Sequence, residues 1–299
     1  MWIALGWGCP LWAGTLQERV QGFPHWSDLP VTQPARGDLI YPDWFAGTWQ
    51  VESTLVELEA PLAPAIVTPG FEGNRQYLHQ TLFFPVRFLP HSILSQNTAR
   101  GNRGRSRRGG FNSWRKAWQG GIPSQFETSG EIVADRAFNG LHITRAYLAQ
   151  TGDTARVKAV RVNPQNPNVQ ITTLWQNQGN LQLVSQVTDR ATEIPENDRF
   201  QFIATEISQQ FFRSRPQVYL NRVETTTAYQ WDSAQQRIHA EQFTAIYLSP
   251  QDPQYFEAIN QPVALYHYHL ELVPKSAPKL VPELVPELAP LIPELVPEF

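Results

Sequence analysis

Hydrophobic and polar residues alternate by twos along much of this chain, the pattern of half-buried β-strands. In Thr48–Leu58 the odd positions from Trp49 to Leu55 share one face, and the polar even positions share the other. In Val263–Val273 the even positions from Ala264 to Leu272 form an apolar face. Both segments are therefore predicted to be strands with one face against a core.

The same alternation recurs in a regular series after residue 155. Turn residues separate the segments, for example at Asn177–Asn180 and Asp232–Gln235, and such spacing is typical of β-hairpins. Sequential hairpins with short turns predict an antiparallel meander. The predicted strands are Thr48–Leu58, Leu82–Leu89, Ala155–Val162, Val169–Trp175, Leu181–Thr188, Arg199–Arg213, Val218–Trp231, Arg237–Leu248 and Val263–Val273.

An antiparallel set of this size tends to close on itself, because closure removes exposed strand edges. The predicted fold is all-β with minor helices, an up-and-down β-barrel of about 8–10 strands. Pro85 donates no ladder hydrogen bond and places its strand at an edge or bulge. The minor helices are a short one in Thr15–Trp26, one in Ala134–Leu148 interrupted at Asn139-Gly140, and one in Pro253–Ala258.

Residues 37–273 form the predicted barrel domain, and two end segments differ from it in composition. Residues 1–14 are apolar and end in small residues, which predicts the remnant of a secretory signal peptide; its missing basic n-region would lie upstream. A lipoprotein acylated at Cys9 and a cytoplasmic protein with an apolar start are the alternatives. Residues 274–299 repeat proline every three or four positions, which predicts an extended or disordered tail.

Residues 91–130 form a predicted insertion rich in arginine, glycine and serine. No Asp or Glu occurs between Glu72 and Glu127, and aromatic residues such as Trp114 are interleaved with the cations. With export, nucleic acid is excluded as a partner, and the expected partner is an anionic membrane surface or an acidic surface of a membrane complex. A solvated insertion without a partner is the alternative. The candidate partner-binding residues are Arg100, Arg103, Arg105, Arg107, Arg108, Arg115 and Lys116.

Residues that could carry catalysis or hold a metal are few. A single cysteine excludes an intrachain disulfide and a cysteine-based zinc site. A nucleophile elbow, a phosphate-binding glycine loop and an HExxH helix are all missing from the sequence. His267 and His269 have metal-ligand spacing, but we interpret them as residues on the solvent-facing side of a strand. We interpret Asp43 as the cap of a turn. We interpret Asp135–Asn139 as a helix cap with an ion pair. We therefore expect a non-enzymatic protein without a metal or cofactor.

The step Gly47-Thr48-Trp49 at the start of the first long strand resembles the lipocalin and wider calycin signature. The resemblance implies that Trp49 packs across the closed end of a barrel that holds a small apolar molecule. Lipocalins place a last-strand arginine over that tryptophan, and here Arg222 or Arg237 would have to substitute. The candidate ligand-binding or core residues are Trp49, Tyr219, Val223, Tyr229, Tyr266 and Tyr268.

A closer resemblance covers Gly37–Leu78 and Asp135–Leu148. Its most specific phrases are Tyr41-Pro42-x-Trp44-Phe45-x-Gly47 and Val67–Phe71. They are similar to an uncharacterised family of cyanobacteria and chloroplasts whose members carry export or lumen-targeting signals. This resemblance implies a thylakoid-lumen or periplasmic protein of an oxygenic phototroph, and it brings no catalytic residues.

Three functions follow as hypotheses. The first is an exported barrel that binds a pigment, quinone or lipid in photosynthetic membrane maintenance. The second is an assembly or accessory factor for a thylakoid membrane complex that acts through the basic insertion. The third is a chromophore chaperone similar to the bilin lyases, which use a lipocalin-type barrel.

Overall fold

The computed structural model describes residues 15–68, 70–94, 130–152, 155–176, 179–214 and 217–275, without the side chains of residues 176, 213, 214 and 217–219. β-Strands make up most of this part of the chain. They are β1 (Gln33–Pro34), β2 (Ile40–Tyr41), β3 (Gly47–Glu59), β4 (Thr81–Pro90), β5 (Ile132–Ala134), β6 (Arg156–Asn163), β7 (Asn166–Gln176), β8 (Gly179–Glu193), β9 (Gln201–Ser214), β10 (Gln217–Asp232), β11 (Arg237–Tyr247) and β12 (Ala264–Pro274).

The helices in the described residues are short, apart from one. They are α1 (Leu16–Gln21), α2 (Phe71–Asn74), α3 (Arg136–Thr151) and α4 (Tyr255–Ala258), with 3-10 turns at Asp43–Phe45 and Arg75–Tyr77. Thr15 caps α1 in a capping box with Glu18, so the predicted helix near residue 20 is confirmed. The predicted interruption of α3 is wrong, because the helix runs through Asn139 and Gly140 without a break.

All strand pairs are antiparallel, and the order of the sheet is β2-β5-β4-β3-β12-β11-β10-β9-β8-β7-β6, with β1 on β8. The meander from β6 to β12 and the pairing of β12 with β3 confirm the predicted all-β, barrel-like fold. All nine predicted strands are present. The three additional strands, β1, β2 and β5, have only two or three residues each.

Within the described residues the sheet curls into a half-barrel and does not close strand to strand. Its path ends at β2 on one side and at β6 on the other. Helix α3 contacts β4, β6 and β7, so it covers the side where the two ends of the sheet approach each other. Pro85 pairs only with Gln50 of β3, because β5 begins further along β4, and this position is therefore a local edge as predicted.

An aromatic turn fills one end of the curled sheet. Phe45 is fully buried, and its ring lies 4.9 Å from Tyr229 and 4.8 Å from Tyr41. Trp44 stacks on Phe45 at 4.3 Å, and Trp49 Nε1 donates to the Phe45 carbonyl at 2.8 Å. Directly opposed residues of paired strands share a face, and these rings join the inward side chains of β3, β4, β9 and β12 in one core.

A second group of apolar residues fills the other end. Phe71 of α2 is 1% exposed and packs with Leu55, Leu58 and Tyr266. Tyr77 and Leu78, which follow in the 3-10 turn, pack against the same group. The inner face is thus covered by the chain itself at both ends.

The N-terminal segment covers the outer face of the sheet. Trp26 packs with Phe243, Tyr247 and Leu265, and Phe23 joins the same cluster. These partners lie on β11 and β12, on the face opposite Trp49, because neighbouring residues on a strand point to opposite sides. The segment from α1 to Leu29 therefore packs on the outside of the sheet, and we call this segment the N-terminal hook.

Candidate functional site

Register places five of the six candidate ligand residues in the rows of the inner face. Tyr229 opposes Phe202, Val223 opposes Ser208, and Tyr266 and Tyr268 oppose Thr244 and Gln242. Tyr219 opposes Phe212 in the ladder, and its side chain is outside the described residues. The five described side chains thus belong to one concave surface, while the role of all six residues in binding stays a prediction.

Two of the six residues, Trp49 and Tyr229, pack in the aromatic core at one end of the sheet. Trp49 is 4% exposed and meets Trp231 with ring centroids 6.1 Å apart. Burial raises the pKa of Tyr229 to about 12. No arginine of the described chain stacks on Trp49: Arg237 pairs with Glu271, and Arg222 lines an outer-face cavity, so neither substitutes for the lipocalin arginine.

A strip of polar side chains crosses the inner face between the two apolar ends. Thr225, Thr227, Gln242 and Thr244 alternate with outward residues on β10 and β11 and, except for Thr227, are only half-buried. Further along β10, Asn221 opposes Gln210, and its buried Oδ1 has no hydrogen-bond partner in the described part of the chain. A row of amides and hydroxyls on a concave surface can bind the polar groups of a ligand.

Three tyrosines border this strip. Tyr147 of α3 and Tyr268 of β12 share a side-chain hydrogen bond, and burial raises the pKa of both hydroxyls. The Tyr266 hydroxyl accepts a hydrogen bond from Asn74 Nδ2 at 3.0 Å, and burial raises its pKa as well. These hydroxyls stay protonated at neutral pH, and they can donate or accept hydrogen bonds but cannot act as bases there.

An ionic cluster adjoins the polar strip. Arg136 of α3 donates to Glu206 of β9 at 2.6 Å, and Arg190 of β8 donates to the same carboxylate at 2.9 Å. Asp38 lies 3.7 Å from Arg136, and Arg190 also donates to Asn168. Burial raises the pKa of Asp38 against the opposing effect of Arg136. Although burial lowers the pKa of Arg136, the carboxylate of Glu206 raises it further, so the guanidinium stays charged.

This cluster is the main functional-site feature that sequence reasoning missed. It joins α3, β8, β9 and the segment before β2, and it holds two cations and two carboxylates in balance. Arg190 Nε is buried without a partner among the described residues, but the other guanidinium donors are used within the cluster. The arrangement stabilises the packing of α3 against the sheet and offers no free nucleophile or base.

His267 and His269 lie on the outer face; His269 is exposed, as the solvent-facing interpretation predicted, whereas His267 is partly buried and stacks on Phe243 at 4.5 Å. His267 Nε2 and His269 Nδ1 bind the two oxygens of Glu241 at 2.6 and 2.9 Å. Their ring nitrogens are thus committed to a carboxylate, and the described residues contain no group of three or more potential metal ligands.

The predicted helix cap is present at the start of α3. The Asp135 side chain accepts from Phe138 N at 3.1 Å and pairs with Arg87. Asn139 adds two hydrogen bonds to the backbone of Arg87, and Arg136 belongs to the ionic cluster. The Asp135–Asn139 segment is therefore structural, as expected.

The best-formed cavities of the described part lie outside the aromatic core. One has a volume of about 390 Å³ and lies between the end of α3 and the start of β6. The other has a volume of about 310 Å³ and lies on the outer face, between Leu29–Thr32 and strands β8 to β10.

The seven candidate partner-binding residues, Arg100 to Lys116, lie outside the described residues, as do residues 1–14 and the chain from 276 to 299. The predictions for the insertion, the signal peptide remnant and the tail therefore stay predictions. The two strands that flank the insertion are described. Pro90 pairs with Ile132, and His91 N donates to the Glu131 carbonyl at 2.9 Å, so the insertion begins and ends at adjacent points of the fold.

None of the described helices combines the length and apolar composition that a membrane-spanning helix requires. No curated protein and no solved structure matches the chain. A family model does match, over residues 33–276, which includes all the long strands and α3. The chain therefore belongs to the family described as Domain of unknown function (DUF6816).

Proposed function

We propose that this protein is a non-enzymatic accessory module that docks on an anionic surface through its basic insertion. The observation that carries the proposal is that an arginine-rich segment, with no Asp or Glu from residue 91 to residue 126, is inserted between two strands that pair directly, β4 and β5. The strands on either side of the segment belong to a sheet whose inner face is covered by aromatic and apolar side chains at both ends. Cations on such a segment attract anionic lipid headgroups by about 1 kcal/mol for each residue near the surface.

We place the protein, also as a proposal, in the thylakoid lumen or periplasm, in support of a photosynthetic membrane complex. The motivation is the apolar start of the sequence and the resemblance of Gly37–Leu78 to exported proteins of phototrophs. Fractionation of host cells, with an antibody against the protein, tests this part. Recovery of the protein in the cytoplasmic fraction would refute it.

The docking proposal is tested with vesicles of phosphatidylcholine containing anionic phosphatidylglycerol. Glutamine replaces the seven residues Arg100, Arg103, Arg105, Arg107, Arg108, Arg115 and Lys116 in the test variant. We expect the wild-type chain to sediment with the anionic vesicles at low salt and to be released as salt rises, because screening weakens exposed charges. The variant should remain in the supernatant.

The control variant replaces Arg156, Lys158 and Arg161 by glutamine. These exposed cations lie on the edge strand β6 and are not part of the insertion. The control should bind vesicles like the wild type. Equal vesicle binding by the seven-residue variant and the wild type would overturn the proposal.

A second candidate function is the binding of a small amphiphile, such as a pigment, quinone or lipid, on the inner face. The half-buried polar strip and the unpaired Oδ1 of Asn221 favour it, next to the apolar walls of Val223 and Tyr266.

Extraction of the protein purified from its host, followed by mass spectrometry, tests this function. The complex should contain one small molecule, and Asn221→Leu should lose it while Asn163→Leu, at the end of β6, should retain it. Protein without any bound molecule would count against this candidate.

A further inference from the structure

The outer-face cavity combines an apolar wall with unpaired charges of both signs. It has a volume of about 310 Å³ and is closed on one side by the segment that follows the hook. This volume is near the lower end of the usual range for small-molecule sites, roughly 300 Å³. Its lining consists of Leu29, Pro30, Thr32, Thr188, Asp189, Ile207, Gln209 and Arg222.

The two charged residues of this cavity have no ion-pair partner in the described part of the chain. Arg222 opposes Gln209 in the ladder between β10 and β9, and Asp189 opposes Ile207 in the ladder between β9 and β8. Their backbones are thus two strand spacings apart and offset by two residues along the strands, about 12 Å in all. The two side chains face one cavity but do not approach within salt-bridge distance of each other.

A neighbouring charged residue on the same face, Glu224, differs from Arg222 because its carboxylate has partners. Glu224, two residues after Arg222 on β10, is fully buried and binds both Arg19 and Tyr247. Its carboxylate is therefore not available to Arg222. The side chains of Leu29, Pro30 and Ile207 form the apolar part of the wall between Arg222 and Asp189.

We propose that this cavity binds a small zwitterion in which a short apolar body separates a carboxylate from an ammonium group. The forked guanidinium of Arg222 accommodates the carboxylate with two parallel hydrogen bonds. The carboxylate of Asp189 binds the ammonium, and the apolar body packs against Leu29 and Ile207. Gln209 and Thr32 line the cavity and supply further polar groups for orientation.

The experiment is calorimetric titration of the full chain at low salt with three probes of equal chain length. ε-Aminocaproate carries both charges, caproate lacks the ammonium, and hexylamine lacks the carboxylate. We expect ε-aminocaproate to bind at least about tenfold more tightly than either single-charge probe, because a hydrogen bond to a charged group is worth about 1.5 kcal/mol or more. Equal affinity for caproate and ε-aminocaproate, or no binding of ε-aminocaproate, would overturn the proposal.

Two variants test the assignment of the charges. Arg222→Gln and Asp189→Asn should each weaken ε-aminocaproate binding about tenfold or more, with unchanged thermal unfolding. The control Arg199→Gln removes an exposed cation beside Phe200, outside the cavity, and should leave binding unchanged. Wild-type affinity in both test variants would refute the site even if the probe binds. The titration uses no vesicles, so its failure leaves the docking proposal standing.

Discussion

Glu224 is a carboxylate with no exposed side-chain surface, and its charge is balanced by one guanidinium. Arg19 of α1 donates to it at 2.7 and 3.0 Å, and the hydroxyls of Tyr247 and Thr226 complete its hydrogen bonds. Burial of an ion pair contributes little net stability, but removal of one partner leaves the other charge uncompensated. The Arg19–Glu224 pair therefore ties the N-terminal hook to the sheet.

Arg19→Met should lower the free energy of unfolding by about 3 kcal/mol, because it leaves the Glu224 carboxylate buried without a cation. Urea denaturation at neutral pH measures the change. The double variant Arg19→Met with Glu224→Gln should recover part of the loss, and the exposed Arg36→Met serves as a control with little effect. An Arg19→Met variant as stable as the wild type would show that the hook does not depend on this pair.

Glu241 gives a pH dependence that can be measured. Burial alone would raise the pKa of its carboxyl group, but hydrogen bonds from His267 and His269 outweigh burial and lower it. A lowered folded-state pKa contributes stability above the unfolded-state pKa, and this contribution is lost as the pH falls through the folded-state value. Wild type should therefore exceed Glu241→Gln in stability at neutral pH, and the difference should shrink below about pH 4.5.

Urea denaturation of both proteins between about pH 7 and pH 3 tests this expectation. Glu257→Gln, at an exposed position of α4, is the control and should show no such convergence. A difference between wild type and Glu241→Gln that grows as the pH falls below about 4.5 would contradict the assignment.

Helix α3 is attached to the free edge of β4 by a side chain that acts as a strand partner. Asn139 Oδ1 accepts from Arg87 N at 2.7 Å, and its Nδ2 donates to the Arg87 carbonyl at 3.2 Å. Asn139→Ala should destabilise the protein by about 1–2 kcal/mol, because Arg87 N loses its acceptor, whereas the Arg87 carbonyl keeps the hydrogen bond from Asp135 N. The solvent-exposed Arg145→Ala in the same helix should change stability much less. Equal effects of the two substitutions on thermal unfolding would refute this role.

Asn139 and the glycine that follows it explain why the sequence predicted a break in α3. Asn-Gly is typical of turns, since both residues tolerate positive φ. Here the tertiary contact of Asn139 with β4 uses the amide, and Gly140 provides the space that the Gln170 side chain occupies, 2.7 Å from where a Cβ would lie. Local sequence cannot reveal either contact, because the partners are on strands far away in the chain.

Strands of eight or more residues were predictable, because alternation over that length leaves one consistent apolar face. The strands β1, β2 and β5 were not predictable, because two or three residues carry no periodicity. Their pairing depends on partners such as Arg190 opposite Gln33 and Val133 opposite Ile40. Sequence therefore predicted the meander but not how the sheet ends.

For the whole molecule, the inner face was predictable in composition but not in its polar contacts. Alternation identified Tyr266 and Tyr268 as inward residues, as the register confirms. The ionic cluster of Arg136, Arg190 and Glu206 joins residues that are up to 70 positions apart, and no local pattern marks them. In the sequence these charged residues cannot be distinguished from ordinary surface residues, because only the folded sheet brings them together.

Because the two ends of the insertion are adjacent, we predict that the sheet folds without the insertion. Residues 95–129 connect two paired strands, so an Asn-Gly hairpin turn can replace them without moving Pro90 or Ile132. Shortening a loop from about 35 residues to a few should stabilise the chain by about 1–2 kcal/mol through reduced loop-closure entropy. The replaced chain should keep the wild-type circular dichroism spectrum, unfold at the same or a higher temperature, and lose vesicle binding. An unfolded product would show that the sheet needs the insertion for its own stability, and the insertion would then be part of the core rather than a docking segment.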